Sequence, residues 1–366
     1  MLRKTYAAVD LECIAHNIRE LKRAAGTQVM AVVKANAYGH GMKQVVAKAE
    51  QEGVSWFAVA TADEAVELRE TCDKHILLLS SAEDEETVNA LTEAGISQCV
   101  YTIQQLKLLY RICEANGKQA RIHIKIDTGM NRIGLRTDAE LIALLEFLKK
   151  QSRIELEGVF THFASADEAD KCFAREQLER FKHALQIIRD YGFAPLCHAS
   201  NSAATIEIPE AHFDLCRMGI SMYGYAPSKE VKAGQLNLKP ALSLISHITY
   251  VKTIEAGDSV SYGRKFIANQ KEQIATVAIG YADGYMRALS GKAEAELGSY
   301  RIRNIGRICM DQSMFLITGT GAQIGDEVRL IGSNITAENL ANLVGTISYE
   351  VLTNLSARVP RVYLHA

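Results

Sequence analysis

Residues 29–41 have the sequence VMAVVKANAYGHG, in which an apolar run ends directly at a lysine. The run at residues 29–33 is rich in β-branched side chains, which predicts a buried β-strand. Lys34 follows at the carboxyl end of that strand, and Gly39 and Gly41 allow a bulky ligand to approach the backbone. Burial removes the hydration of a charged amine, so Lys34 must reach solvent, pair with a carboxylate or take part in chemistry.

Seven further runs of the same kind follow along the chain. Segments with helical spacing separate them, for example residues 63–71 and 138–151, and this alternation predicts repeated βα units with a parallel sheet. Eight parallel strands fit a TIM (β/α)8 barrel. The predicted strands are residues 29–33, 57–60, 76–79, 98–100, 121–126, 156–160, 196–199 and 212–216.

The pattern changes after about residue 235. Strand-like segments at residues 243–254, 273–279, 300–308, 313–318 and 327–331 are broken by Gly or Asp turns, and only residues 337–344 are predicted to be helical. We therefore predict an α/β barrel domain at residues 1–235, followed by a smaller, mostly β domain at residues 236–366. Residues 1–10 are expected to form a strand that joins the C-terminal domain.

The composition restricts the class of partner. The chain of 366 residues has 41 basic and 43 acidic side chains without long runs of either sign, so we expect no nucleic-acid or membrane partner but a small molecule. No apolar stretch resembles a secretory signal or a membrane span. The eight cysteines are scattered without Cys-x-x-Cys or zinc-type spacing, which favours a reducing cytoplasm and no metal.

Polar residues cluster after the last four predicted strands, where a barrel places its reactive groups. Arg132 follows the fifth strand, His162 the sixth and Ser202 the seventh, and the segment Arg217–Ile220 follows the eighth. Ser202 with Gly219 and Ile220 could bind a phosphate through a hydroxyl and backbone N–H groups, although each alone is an ordinary turn residue. Arg217 could donate a hydrogen bond to a ring nitrogen.

With these motifs in this order, the chain resembles the bacterial alanine racemases of fold type III over essentially its whole length, and the segment around Lys34 is the most specific match. The resemblance implies pyridoxal 5'-phosphate as cofactor, bound to Lys34 as a Schiff base. Arg217 would face the pyridine nitrogen. The cofactor-binding residues implied by the resemblance are Lys34, Tyr38, His162, Asn201, Ser202, Arg217, Gly219, Ile220 and Tyr349.

The second predicted domain contains segments that resemble the family's contribution to a neighbouring active site. The resemblance implies that Tyr262 is the second catalytic base, acting in the partner subunit of a homodimer, although by its residues alone it is an exposed turn tyrosine. Substrate-binding residues would be Arg132, Met310 and Asp311. Asp167, His198, Tyr281, Arg287 and Arg307 match a polar corridor above the cofactor, and their alternative is a set of solvated loop residues.

The implied reaction interconverts L-alanine and D-alanine, with D-alanine destined for peptidoglycan. Two bases, Lys34 and Tyr262, would act on opposite faces of the α-carbon. Because a free phenol has a pKa of about 10, Tyr262 would need positive neighbours, for which His162, Arg217 and Arg132 are candidates. Tyr349 would narrow the pocket in favour of alanine, while a serine or broad-specificity racemase is the alternative.

Lys125 precedes Asp127 near the end of the fifth predicted strand. In the family its counterpart is often carbamylated by carbon dioxide and orients the arginine that matches Arg132, so we hold carbamylation of Lys125 as a hypothesis. The alternative is an ordinary lysine that pairs with Asp127 or Glu157.

Two other activities share parts of this architecture. A same-fold amino-acid decarboxylase typically has a glutamate against the ring nitrogen and a glycine-rich phosphate loop, neither of which occurs where Arg217 and Ser202 stand. A single-domain protein that binds pyridoxal phosphate would lack residues 236–366 altogether.

Overall fold

The computed structural model of the chain describes residues 3–365, which divide into two compact units. The barrel unit contains Ile14–Ala37 and Met42–Lys239. The β unit contains the described residues up to Cys13, the segment Tyr38–Gly41 and the described residues from Pro240 onward. The sequence predicted a domain boundary after residue 235, whereas the contacts change from one unit to the other after Lys239.

The first strand, β1 (Tyr6–Asp10), belongs to the β unit, and the next eight form the barrel. All eight are parallel to their neighbours in the order β8-β7-β6-β5-β4-β3-β2-β9. The barrel strands are β2 (Gln28–Val32), β3 (Trp56–Val59), β4 (His75–Leu78), β5 (Ser97–Val100), β6 (Ala120–Lys125), β7 (Ile154–Phe160), β8 (Leu196–His198) and β9 (Leu215–Met218).

Backbone hydrogen bonds near the two outermost strands close the barrel. Asp214 N–H donates to the Cys197 carbonyl at 3.1 Å, and Arg217 N–H donates to the Ser200 carbonyl at 3.0 Å. The predicted eight-stranded barrel is thus confirmed. The last strand was predicted at residues 212–216 but is Leu215–Met218, because Phe213 and Asp214 form a turn and His212 Nδ1 bonds the Ala25 carbonyl at 2.7 Å.

The helices are α1 (Leu11–Ala25), α2 (Lys34–Tyr38), α3 (Met42–Gln51), α4 (Ala62–Arg69), α5 (Glu85–Glu93), α6 (Ile103–Asn116), α7 (Asp138–Leu148), α8 (Cys172–Asp190), α9 (Ser202–Glu207), α10 (Ala337–Val344) and α11 (Ser348–Thr353). Of these, α2 is a left-handed turn. Thr61, Thr102 and Thr137 begin three of the barrel helices with the same reciprocal capping box, which satisfies backbone N–H groups that would otherwise lack a partner.

The β unit is built on a sheet with the order β13-β16-β15-β14-β17-β10-β1-β18, and β13 also pairs with β10. A separate ribbon joins β11 and β12. The remaining strands are β10 (Leu242–Ile254), β11 (Ser259–Val260), β12 (Phe266–Ile267), β13 (Glu272–Val277), β14 (Glu294–Leu297), β15 (Tyr300–Ile305), β16 (Ser313–Leu316), β17 (Glu327–Ile331) and β18 (Arg361–Leu364).

Strand β1 pairs antiparallel with β10 and parallel with β18, so both ends of the chain contribute to one sheet. The mostly β character of this unit is confirmed. The expectation of a single helix is wrong, because α11 follows α10. The second helix is only six residues long, too short for its periodicity to stand out, but Val351 and Leu352 are buried.

Six short 3₁₀ helices complete the described chain, at Pro209–Ala211, Ile220–Tyr223, Ala233–Gln235, Tyr262–Arg264, Tyr281–Asp283 and Arg287–Leu289. None of the helices within residues 3–365 combines the length and the apolar character that crossing a bilayer requires. All eight cysteines are unpaired thiols.

Phe57 in β3 is completely buried, whereas Phe173 in α8 is 38% exposed. We expect Phe57→Ala to lower the free energy of unfolding by about 3–5 kcal/mol, because a cavity replaces a packed ring. Phe173→Ala is the matched control, and its loss should be clearly smaller. Urea unfolding of both variants measures the difference, and equal losses would show that β3 does not lie in a packed core.

Candidate active site

The turn that follows Lys34 has a strained backbone. Ala35, Asn36, Ala37 and Tyr38 all have φ between 51° and 54°, a left-handed conformation that costs an L-residue about 1–2 kcal/mol. Two hydrogen bonds hold this turn: Ala35 N–H donates to a carboxylate oxygen of Glu64 at 2.6 Å, and Met42 N–H donates to Asn36 Oδ1 at 2.8 Å. Such strain concentrates at functional sites.

The Lys34 side chain is half-buried at the end of β2. Burial lowers the pKa of its amine, the positive charge of Arg132 lowers it further, and Glu64 opposes both effects. A larger fraction of neutral amine makes Lys34 a better nucleophile. Arg132, predicted to bind substrate, is exposed and close enough to influence this pKa.

Arg217 lies inside the barrel mouth with 3% of its surface exposed. Its Nη2 atom donates to the carbonyls of Thr161 at 2.8 Å and Ala199 at 2.9 Å, and to His162 Nδ1 at 3.2 Å. Its Nη1 atom donates to His198 Nδ1 at 3.0 Å. Burial lowers the pKa of the guanidinium to about 10. Within residues 3–365, the hydrogen bonds of this side chain all start from Nη1 or Nη2.

Both histidines beside Arg217 are kept neutral. Burial, and then the charge of Arg217, hold the pKa of His162 and of His198 well below the ordinary value. Of the three positive neighbours predicted for Tyr262, Arg217 and Arg132 are therefore charged, whereas His162 is neutral. His198 is fully buried, which differs from its predicted place in a polar corridor, because as the last residue of β8 it points into the barrel.

The loops that follow β8 and β9 meet at Ser202 and Gly219. Gly219 N–H donates to Ser202 Oγ at 2.9 Å, which joins the two loops. Ser202 begins α9 and Ile220 begins a 3₁₀ helix, and the first N–H groups of a helix have no partner inside it. Such groups bind phosphate. Asn201, also predicted here, caps α9 by accepting from Ala204 N–H at 3.0 Å.

Lys125 is buried at the end of β6, and its amine donates to the Ile126 carbonyl at 3.0 Å. Burial, followed by the charge of Arg217, lowers the pKa of Lys125 to about 7. The two carboxylates predicted as alternative partners of Lys125 are engaged elsewhere. Asp127 accepts from two backbone N–H groups of its own loop, and Glu157 bonds His123.

In the β unit, Tyr38 and Tyr349 lie together, with ring centroids 6.0 Å apart. Burial raises the pKa of Tyr38 to about 12, so its hydroxyl stays a hydrogen-bond donor. Gly39 has a φ of 81°, and a Cβ atom there would lie 2.3 Å from the Leu352 carbonyl oxygen. Glycine is therefore required beside Tyr38.

Three of the predicted site residues in the β unit have exposed side chains: Tyr262 is 70% exposed, Met310 is 52% exposed and Tyr281 is 41% exposed. Their loops are joined by hydrogen bonds, since Ser261 Oγ donates to the Arg307 carbonyl at 2.6 Å and Tyr281 N–H donates to the Cys309 carbonyl at 3.0 Å. The structure thus brings Tyr262, Tyr281, Arg307 and Met310 onto one surface.

Asp311 is held by a residue that the sequence did not single out. Arg358 Nη2 donates to Asp311 Oδ1 at 2.7 Å, and Arg358 Nε lies 3.5 Å from the buried carboxylate of Asp283. No motif marked Arg358, because it lies 47 residues away in sequence. Of the other predicted corridor residues, Arg287 is exposed at the start of the 3₁₀ helix Arg287–Leu289, and Asp167 is half-buried in a turn.

Known proteins of one family match this chain over nearly its whole length. Residues 9–227 match the family model for the alanine racemase N-terminal domain, and residues 241–363 match the model for the C-terminal domain. An alanine racemase of Clostridium tetani is 41% identical over 99% of this chain and 96% of its own length. One of Carboxydothermus hydrogenoformans is 43% identical over 99% of this chain and 100% of its own length.

Solved structures of alanine racemases also match the fold of this chain. The alanine racemase of Clostridium difficile 630 has a TM-score of 0.94 at 37% identity, covering 98% of this chain and 95% of that one. The Bacillus anthracis alanine racemase with bound L-Ala-P also has a TM-score of 0.94, at 36% identity, with 99% and 95% covered. Since both domain models and nearly full-length relatives match a chain with this barrel and these site residues, the chain belongs to the alanine racemase family.

Proposed function

We propose that this protein interconverts L-alanine and D-alanine, using pyridoxal 5'-phosphate held at the barrel mouth. Two features of the barrel support this best. The Lys34 amine has a lowered pKa, and the buried Arg217 has both Nη atoms engaged in hydrogen bonds. An amine suits the aldehyde of the cofactor, and the Nε–H of Arg217 suits its ring nitrogen.

The donor set fits the rest of the cofactor. Ser202 and Ile220 would offer a hydroxyl and a backbone N–H group to the phosphate beside Gly219, whose own N–H donates to Ser202 Oγ, and Tyr38 and Tyr349 would offer two further hydroxyls. His162 and Asn201 would border the ring and the phosphate. When bound, pyridoxal phosphate supplies an aldehyde for the substrate amine and a conjugated ring that spreads negative charge from the α-carbon.

Racemisation needs proton removal on one face of the α-carbon and proton return on the other. Lys34 Nζ would serve one face. Tyr262 OH from a second copy of the chain would serve the other, which accounts for the high exposure of Tyr262 in a single chain. Arg132, Met310 and Asp311 would hold the substrate carboxylate, with Asp167, Tyr281, Arg287 and Arg307 along the approach. The enzyme would thus act as a homodimer with shared sites.

We further propose alanine as the preferred substrate, because the half-buried Tyr349 ring beside Tyr38 would restrict the pocket. Serine is the alternative that comparative kinetics would identify. The product D-alanine would serve peptidoglycan synthesis. Eight unpaired thiols support a cytoplasmic location.

The purified chain, loaded with pyridoxal phosphate, is expected to abolish the optical rotation of L-alanine without releasing carbon dioxide. Lys34→Ala should remove this activity and the covalent label that borohydride leaves on the native protein. Lys22→Ala, a lysine on α1, is the control and should retain both. Carbon dioxide release would indicate a decarboxylase instead, and a label at another lysine would contradict the assignment of Lys34.

Tyr262→Phe removes the proposed second base and keeps the ring. We expect α-proton exchange from one alanine enantiomer to fall by about 10²–10⁴-fold, the usual contribution of a positioned base, and exchange from the other to fall less. Hydrogen exchange into deuterated water, measured separately for each enantiomer, gives both rates. Tyr300→Phe is a matched exposed control. Equal losses in the two directions would argue against two bases.

Carbamylation of Lys125 is a further proposal. A neutral amine attacks carbon dioxide, forming an N–C bond and releasing one proton, and a pKa of about 7 leaves much of Lys125 neutral. The product is an anion, which the charges of Arg217 and Arg132 would favour over a third cation. We expect a carbamate carbon signal in ¹³C NMR with labelled bicarbonate. It should disappear in Lys125→Met but persist in Lys48→Met, and its absence from the native protein would disprove the adduct.

A further inference from the structure

A line of hydrogen bonds leads from Arg217 through the barrel core to a carboxylate. Beyond the Arg217 contact, His198 Nε2 lies 2.9 Å from His123 Nδ1. His123 Nε2 then lies 3.1 Å from Glu157 Oε2. Both histidines are completely buried. The proton transfers proposed above use neither His123 nor Glu157.

The direction of each hydrogen bond follows from the guanidinium at one end. Arginine only donates, so His198 Nδ1 must accept and the His198 proton must sit on Nε2. That proton can only be donated to His123 Nδ1, which places the His123 proton on Nε2. The Nε2–H of His123 donates in turn to the Glu157 carboxylate. One arrangement of protons therefore satisfies all three bonds.

The charge states agree with this arrangement. Burial lowers the pKa of His123 and holds that of His198 well below the usual range, so both rings are neutral. Burial alone would raise the pKa of Glu157, but hydrogen bonds from His123 and Ser97 lower it to about 2. Glu157 is thus a carboxylate at neutral pH. Within residues 3–365, Glu157 is the carboxylate that the hydrogen bonds of Arg217 reach through the two rings.

The surrounding packing fixes both rings. A Cβ atom on Gly158 would lie 2.2 Å from His123 Nδ1, so this glycine makes the space for the ring. Phe160 stacks on His198 with centroids 4.9 Å apart and planes 3° from parallel. Trp56 contacts His123 edge-on at 5.6 Å. Neither imidazole can turn over without displacing a neighbour.

We propose that Glu157 and His123 are positioning residues for Arg217: they fix the tautomers of both imidazoles, so that His198 always presents an acceptor to the guanidinium. The inference rests on the proposed role of Arg217 against the cofactor ring nitrogen. It adds Glu157, at the far end of the buried His198 and His123 side chains, to the residues on which that role depends.

The test compares Glu157→Leu with Glu157→Gln in the full-length protein labelled with ¹⁵N-histidine. In the native protein, NMR should show protonated Nε2 and unprotonated Nδ1 at both rings. Leucine removes the acceptor for His123, so we expect mixed tautomers at His123 and His198. Glutamine keeps an oxygen acceptor and should restore the native pattern. Arg121→Gln is the control, because it removes a charge 3.6 Å from Glu157 Oε1 but leaves the Oε2 bond intact.

The holoenzyme gives a second measurement. A misplaced Arg217 would let the ring nitrogen accept a proton more readily, so the ratio of transamination to racemisation should rise in Glu157→Leu by up to about tenfold, the factor that one neutral hydrogen bond is worth. Glu157→Gln should change it less. Thermal unfolding checks that each variant is folded.

The outcomes separate the two proposals. Unchanged tautomers at His198 in Glu157→Leu, or equal effects in Arg121→Gln, would overturn the positioning role. Altered tautomers with an unchanged product ratio would likewise overturn it, since Arg217 would then be held without them. A native protein that does not racemise alanine would instead contradict the proposed function, while the tautomers would still be measurable.

Discussion

Burial of the Arg217 guanidinium is the constraint on which the barrel mouth depends. A cation removed from water must have its donors satisfied, and here backbone carbonyls and two imidazole nitrogens accept from the Nη atoms. Burial and then the same charge hold the pKa of His162 well below its ordinary value and lower that of Lys125 to about 7. The protonation states of the neighbouring groups therefore reflect both their burial and this one guanidinium.

The backbone that follows Lys34 at the same site is strained. Four consecutive L-residues in the left-handed region would not persist in isolation, and their cost must be met by the packed strand before them and by bonds from Ala35 and Met42. Tyr223 OH donates to the Val32 carbonyl at 2.9 Å, which ties the 3₁₀ helix after β9 to the last residue of β2, shortly before Lys34. Lys34 and the predicted phosphate-binding residues Gly219 and Ile220 therefore lie on segments joined by this hydrogen bond.

Much of this arrangement could be predicted from sequence because it depends on local patterns. Alternating apolar runs indicated the barrel, and the polar residues directly after each run indicated the mouth. Arg358 and the bond between Glu157 and His123 could not be found in this way, because the partners are distant in sequence and no local motif marks them. The helix α11 was missed because six residues provide too little periodicity.

The sequence by itself determined the eight βα units, the β-rich second unit, and Lys34 at the end of a strand, since these follow from residue spacing along one chain. Only the tertiary structure decided which nitrogen of His198 faces Arg217 and which partners Lys125 has. It also decided that His198 is buried in the core and does not line an open corridor. The physical reason is that protonation and burial depend on atoms brought together by folding, and their energies change sharply over a few ångströms.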